Sequence, residues 1–234
     1  MKKKSILVLL SVIAFPICCF PQIPEKEFWP ALNAVFETTS RSRITALIER
    51  HTGEESFYEE TKVGAIFNYR AKKILNFTDH IDKDNENHLV LGGGYEFLRT
   101  DQGNGTKDEH RILSQLTPKY LFGLGILAQD RNQIEFRWIA GQFDFRYRNR
   151  LTVSRQLTID KFRLTPYASG ELFWDRNQHA WNENQYAFGV KIPYQKRLMV
   201  DTFYMRQNCT TCSLDPLDIL GLTLNLYFDW PRRK

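Results

Sequence analysis

Beyond its first two dozen residues this chain has no long hydrophobic run. Nothing after Ile17 offers the roughly 20 consecutive apolar residues that a membrane-crossing helix needs, and the mean hydropathy is negative. A helical membrane protein is therefore excluded. Cysteine is scarce, with four in 234 residues. Two of them, Cys18 and Cys19, fall at the end of the N-terminal apolar segment. That leaves Cys209 and Cys212, in the polar stretch Gln-Asn-Cys-Thr-Thr-Cys-Ser. A structural zinc site needs four ligands and there is no second pair. A thioredoxin-like pair would open a helix after a strand, whereas this one sits between strand-like segments. A short disulfide in an oxidising compartment is the expectation. Helix-period segments of useful length are missing too. So are phosphate-loop and EF-hand signatures: Gly92-Gly93-Gly94 is followed by no Lys-Ser/Thr, and Asp82, Asp84 and Glu86 lack the loop glycine and closing glutamate. Neither a metal nor a cofactor is expected.

What is present begins with an export signal. Lys2, Lys3 and Lys4 precede an apolar run from Ile6 to Ile17 broken by Ser11 and Pro16. The charge and length are those of a secretory leader, so residues 1–22 are read as a cleaved signal and 23–234 as the mature domain. Phe-Pro-Ile before Cys18 is a poor approach to a lipidated cysteine. The formal net charge of +5 loses three lysines with the leader and falls to about +2. The high pI then implies no nucleic-acid partner.

The mature sequence alternates. Phe143, Phe145, Tyr147, Leu151 and Val153 share one face of a period-two pattern; Asp144, Arg146, Arg148, Arg150, Thr152 and Ser154 share the other. Similar segments recur: 31–38, 42–50, 61–70, 87–99, 110–120, 127–139, 162–174, 185–194, 197–207 and 220–230. With 143–155 these make eleven. Val63, Ala65, Phe67 and Tyr69 align in the third, and Leu89, Leu91, Gly93, Tyr95 and Phe97 in the fourth. Thirty-two residues are Phe, Trp or Tyr, a content that suits the aromatic girdles of a membrane barrel or the core of a large β-sandwich. Turns near Asp160-Lys161 and Gln195-Lys196 read as tight. Those at 101–108, 175–183 and 208–218 read as longer and polar, the short-and-long asymmetry of an outer-membrane barrel with the tight turns in the periplasm. The last segment sets Leu220, Leu222, Leu224, Leu226, Phe228 and Trp230 on one face. It is similar to the C-terminal assembly signal of such barrels, through Gly221, Leu224 and Leu226. Leu220 and the trailing Pro231-Arg232-Arg233-Lys234 depart from that signal.

The expected fold is an all-β, single antiparallel up-and-down transmembrane β-barrel of 10–12 strands. Adjacent termini would require an even number, so either 31–38 stays out of the wall or a twelfth strand is hidden. Lipid would meet a band containing Phe143, Phe145, Tyr147, Phe188, Leu224 and Leu226.

Glu135-Phe136-Arg137-Trp138, Phe145-Arg146-Tyr147-Arg148-Asn149-Arg150-Leu151 and Pro166-Tyr167-Ala168-Ser169-Gly170-Glu171-Leu172-Phe173 resemble the motifs of the bacterial outer-membrane barrels of domain of unknown function (DUF) 2490. Asn184-Gln185-Tyr186, Tyr204-Met205-Arg206-Gln207-Asn208 and Leu220-Gly221-Leu222 follow in order. The resemblance covers Glu109 to Trp230 well and the N-terminal third loosely. It implies a barrel in the outer membrane of a Gram-negative bacterium, and it carries no catalytic residues with it.

The chemistry-bearing constellation is the inward face: Glu135, Arg137, Asp144, Arg146, Arg148, Arg150, Arg163, Glu171, Lys191 and Asp201. In a narrow barrel these would pair as Arg–carboxylate ladders. If Arg146, Arg148, Arg150 and Arg163 all reach Glu135, Asp144, Glu171 or Asp201, the lumen is a filled structural network. If they line an open path, it is a porin-like pore biased toward anions. The expected function is thus non-enzymatic, with outer-membrane lipids and the barrel-assembly machinery as partners. The alternatives are an outer-membrane lipid hydrolase and a soluble periplasmic β-sandwich binding module. A hydrolase needs a serine beside a histidine. No His-x-Ser occurs, and His110 and Ser114 would stand some 13 Å apart along a strand at about 3.4 Å per residue.

Overall fold

The computed structural model describes residues 25–229, apart from 54–58, 74–87, 103–104, 161, 195–196 and 210–215. The leader, Cys212, Asp82, Asp84, Glu86 and Trp230 lie outside the described residues. Twelve strands follow in order: β1 (Glu25–Glu37), β2 (Ser42–Gly53), β3 (Glu59–Lys73), β4 (His88–Gln102), β5 (Gly105–Phe122), β6 (Ile126–Ile139), β7 (Gln142–Arg155), β8 (Leu157–Ile159), β9 (Phe162–Asp175), β10 (Ala180–Tyr194), β11 (Leu198–Cys209) and β12 (Leu217–Asp229). The short β8 folds back on β9 as a hairpin, while β7 pairs directly with β9. The other eleven close into a barrel, each antiparallel to the strand before it.

The seam is different. β1 pairs with β12 in parallel, from Glu25↔Leu217 to Glu37↔Asp229. An odd number of up-and-down strands leaves the first and last pointing the same way, so only a parallel ladder can close the ring. The expectation of an even count is corrected on this point: the first hairpin is in the wall, no twelfth wall strand is required, and β1 starts at the end of the barrel opposite to where β12 finishes. Below, the end at which β1 starts is the lower end.

Two of the expected long loops are instead strand. β4 and β5 stay paired as far as Gln102↔Gly105. β9 and β10 pair to Asp175↔Ala180, with a register shift between Trp181 and Glu183. Both stretches are polar on either face, which hides the alternation that marks a strand. β6 and β7 are joined by Ala140 (φ 47°) and Gly141 (φ 82°), the left-handed pair of a tight hairpin turn. Tight turns therefore occur at both ends. The 74–87 connection joins β3 to β4 at the upper end, where only tight turns were expected.

Alternation sorts the side chains. Every wall strand turns large hydrophobics outward, from Leu32 on β1 through Phe67, Leu116, Leu151 and Phe188 to Leu224 on β12. Of the expected band, Phe143, Phe188 and Leu224 are exposed, and Phe145, Tyr147 and Leu226 are half-buried. The aromatic outer face of β6–β10 is knit by ring contacts, Phe136–Phe145, Phe145–Trp174 and Tyr147–Trp181. Tyr147 also donates to Asn132 at 2.5 Å, and Asn149 donates to Asp130 at 2.7 Å, a polar interruption of the belt.

Apolar packing inside is limited. Ala187, Met205 and Ile219 are buried together, with Trp29, Phe203 and Leu217 against them. Gly221 lies under the Phe203 ring, where a Cβ would overlap it. The triple glycine likewise relieves close packing: a Cβ at Gly92 would meet Gln115 and Asn68, and one at Gly94 the backbone of Ala65 and Ile66.

Candidate functional site: the charged lumen

The inward face of β7 puts Asp144, Arg146, Arg148 and Arg150 at alternate positions. β6 on one side supplies Arg131, Gln133, Glu135 and Arg137, and β9 on the other supplies Glu171, Phe173 and Asp175. Glu171 is the hub. It is almost fully buried and accepts from three guanidinium groups: Arg131 at 2.8 Å, Arg148 at 3.0 and 3.2 Å, and Arg150 at 2.7 Å through Nε with a second, shorter contact. Arg148 also donates to Glu135 at 2.7 Å, and Gln133 donates to the same oxygen at 2.8 Å. Arg148 lies over the Phe173 ring at 4.6 Å. Charges buried in low dielectric persist only when paired, and this group pairs them across three strands.

Below it, Arg137 donates to Glu109 at 2.6 and 3.0 Å, and Arg111 to the same carboxylate at 2.5 Å. Arg137 also stands 3.6 Å from both Asp144 and Asp175. Arg146 Nε comes no closer than 3.7 Å to Asp175 and makes no hydrogen bond among the described residues. Lys191 sits over the Tyr167 ring at 5.1 Å, and Tyr167 donates to Asp201 at 3.0 Å. Arg163 stands apart, exposed beside the β8–β9 hairpin and paired in register with Thr158. Nine of the ten residues singled out by alternation thus face one lumen. Arg163 has the right parity but sits at the end of its strand.

Sequence reasoning missed Glu109 and Asp175, which border stretches read as loop, and Arg111 and Arg131, which lie inside segments read as strand and share the inward parity of Gln115 and Gln133. It also missed a second group on the opposite flank. His51, buried on β2, lies between Glu49 (2.5 Å) and Glu60 (3.3 Å) and stacks on Trp29 at 3.7 Å. Lys62 pairs with Glu49 at 3.0 Å, and Trp29 donates to Glu27 at 2.6 Å. The alternating pairs Glu49/His51 and Glu60/Lys62 were the available signal. Both groups border a cavity of about 630 Å³ to which all eleven wall strands contribute.

On the outer face His110 meets the Tyr95 hydroxyl at 2.6 Å. The described hydrogen bonds of His51 and His110 therefore go to carboxylates and a phenol. Cys209 ends β11 and is disulfide-bonded; it belongs to the strand, where a loop was expected.

A protein-family model described as "Protein of unknown function (DUF2490)" matches residues 27–213. The chain belongs to the DUF2490 family. The match runs from β1 through β11, so the DUF2490 region includes the N-terminal third that resembled the family only loosely, and it stops before β12. No curated protein matches the chain.

Proposed function

We propose that this DUF2490 protein is a non-enzymatic outer-membrane barrel whose lumen is locked by ion pairs and is not an open pore. The observation that carries the reading is the Glu171 hub. Of the four arginines whose pairing was to decide between the readings, Arg148 and Arg150 are bound to carboxylates, while Arg146 makes only a 3.7 Å ion pair with Asp175 and Arg163 stands exposed at its strand end; the anion-selective alternative needs the central pair free. The outward ring of exposed hydrophobics, with Phe188 at 64% exposure, supports a lipid surround, since soluble monomers rarely expose contiguous apolar surface on that scale. In this reading outer-membrane lipids cover the belt and β12 engages the assembly machinery. The hydrolase reading gains nothing from histidines occupied by glutamates and a tyrosine.

Membrane fractionation with heat-modifiable migration on a gel, followed by a phospholipid-hydrolysis assay on the same sample, tests this. The expected result is a heat-modifiable outer-membrane protein without hydrolysis. Recovery in the soluble periplasm, or turnover of lipid, contradicts it.

A further inference from the structure

The lumen cavity is not evenly charged. From β1–β4 its lining carries Glu27, Glu49, Glu60 and Glu96 against the single cation Lys62 and His51. Three of those carboxylates are engaged. Glu27 takes the Trp29 N–H, Glu49 takes His51 and Lys62, and Glu60 takes His51 and the Thr100 hydroxyl at 3.1 Å. Glu96 is different. It is 7% exposed and lines the cavity, yet among the described residues it makes no hydrogen bond or ion pair. Its register partner Arg111 gives its Nε to Glu109 instead. Gly64 leaves the space Glu96 occupies, because a Cβ there would stand 2.8 Å from the Glu96 Cγ. Glu96 thus presents its carboxylate to the cavity with no donor among the described residues satisfying it, and a cation bound there would supply the missing partner.

We infer that the lower lumen is a binding site for a small organic ammonium ion, with Glu96 as its anchoring carboxylate. The cavity volume is that of a small-molecule site. Its lining also includes Trp29, Ala187, Phe203 and Met205, apolar surface within the same cavity suited to a carbon skeleton. A bare metal ion fits less well: among the described residues no group of three or more His, Cys, Asp or Glu is arranged to hold one. Lys62, on the neighbouring strand, shows that a primary ammonium is accommodated among these carboxylates.

The inference rests on the cavity and not on the protein's location, so binding is measured on the purified, folded barrel in detergent. Calorimetric titration compares choline and butylamine with their neutral counterparts 3,3-dimethylbutanol and butanol, for the native protein and for Glu96→Gln. The expected result is saturable binding of at least one ammonium, no binding of its neutral counterpart, and a loss of about ten-fold or more in affinity for Glu96→Gln, as befits the loss of an ion pair that butylamine reinforces with a hydrogen bond and choline does not. Heat-modifiable migration of the variant confirms that it is folded; if it is not, the comparison of charged and neutral probes on native protein decides. Binding of neither ammonium, equal binding of the neutral molecules, or unchanged affinity in folded Glu96→Gln overturns the inference.

Discussion

At the scale of single residues, Glu171 holds more of the lumen together than any other side chain. Three guanidinium groups converge on it. Removing one partner of a buried ionic group leaves the others uncompensated and costs about 3 kcal/mol or more. Glu171→Gln is therefore expected to lower the denaturant midpoint strongly, and adding Arg131→Met should recover part of the loss. Arg163→Ala, exposed beside the β8–β9 hairpin, should leave the midpoint unchanged. Equal effects of Glu171→Gln and Arg163→Ala would count against the hub. The same alternation that picks out Arg148 and Glu171 in the sequence also picks out Arg163, because parity says which way a side chain points and not how near the strand end it lies. Glu109, Asp175 and Glu96 were not singled out for other reasons. Glu109 and Asp175 border stretches read as polar loops, whereas Glu96 lies opposite the visible stripe of Leu89, Leu91, Tyr95 and Phe97, whose parity gives its inward direction but not its lack of a partner.

Elements show the same limits. The terminal strand β12 was the easiest to read, and it forms as the alternation requires, with Leu222 and Leu224 outward and Asn225 inward. Asn225 accepts a hydrogen bond from Asn33 across the seam. A charge on the lipid face of a membrane barrel costs about 2–4 kcal/mol at mid-bilayer. Leu224→Arg should accordingly reduce the yield of heat-modifiable barrel, while Thr223→Arg, facing the lumen cavity, should be better tolerated. If both are tolerated alike in membranes, the lipid-facing assignment of β12 fails. Gly221→Val should impair folding for a different reason, since its side chain would meet the Phe203 ring; pairing it with Phe203→Ala should restore assembly.

For the whole molecule, eleven alternating segments were visible in the sequence, and eleven strands form the wall. What alternation could not supply was the seam. Each segment reads the same in either direction of pairing, so the rule that up-and-down barrels close antiparallel suggested an even number. The parallel β1–β12 ladder puts Leu32 opposite Leu224 on the outer face. Cysteines at those two positions should crosslink on oxidation and block separation of the termini after loop cleavage. Failure to crosslink, while a Leu32–Ile48 cysteine pair on β1–β2 does so, would refute the parallel seam.

The account as a whole turns on whether the paired charges close the lumen. Conductance of the purified barrel in planar bilayers measures that directly. Native protein that is folded and inserted is expected to show no stable ion current, and Arg148→Ala, which frees Glu135 and loosens the Glu171 hub, is expected to introduce one. A steady anion-selective current through the native barrel, diminished in Arg148→Ala, would contradict the closed lumen and restore the pore.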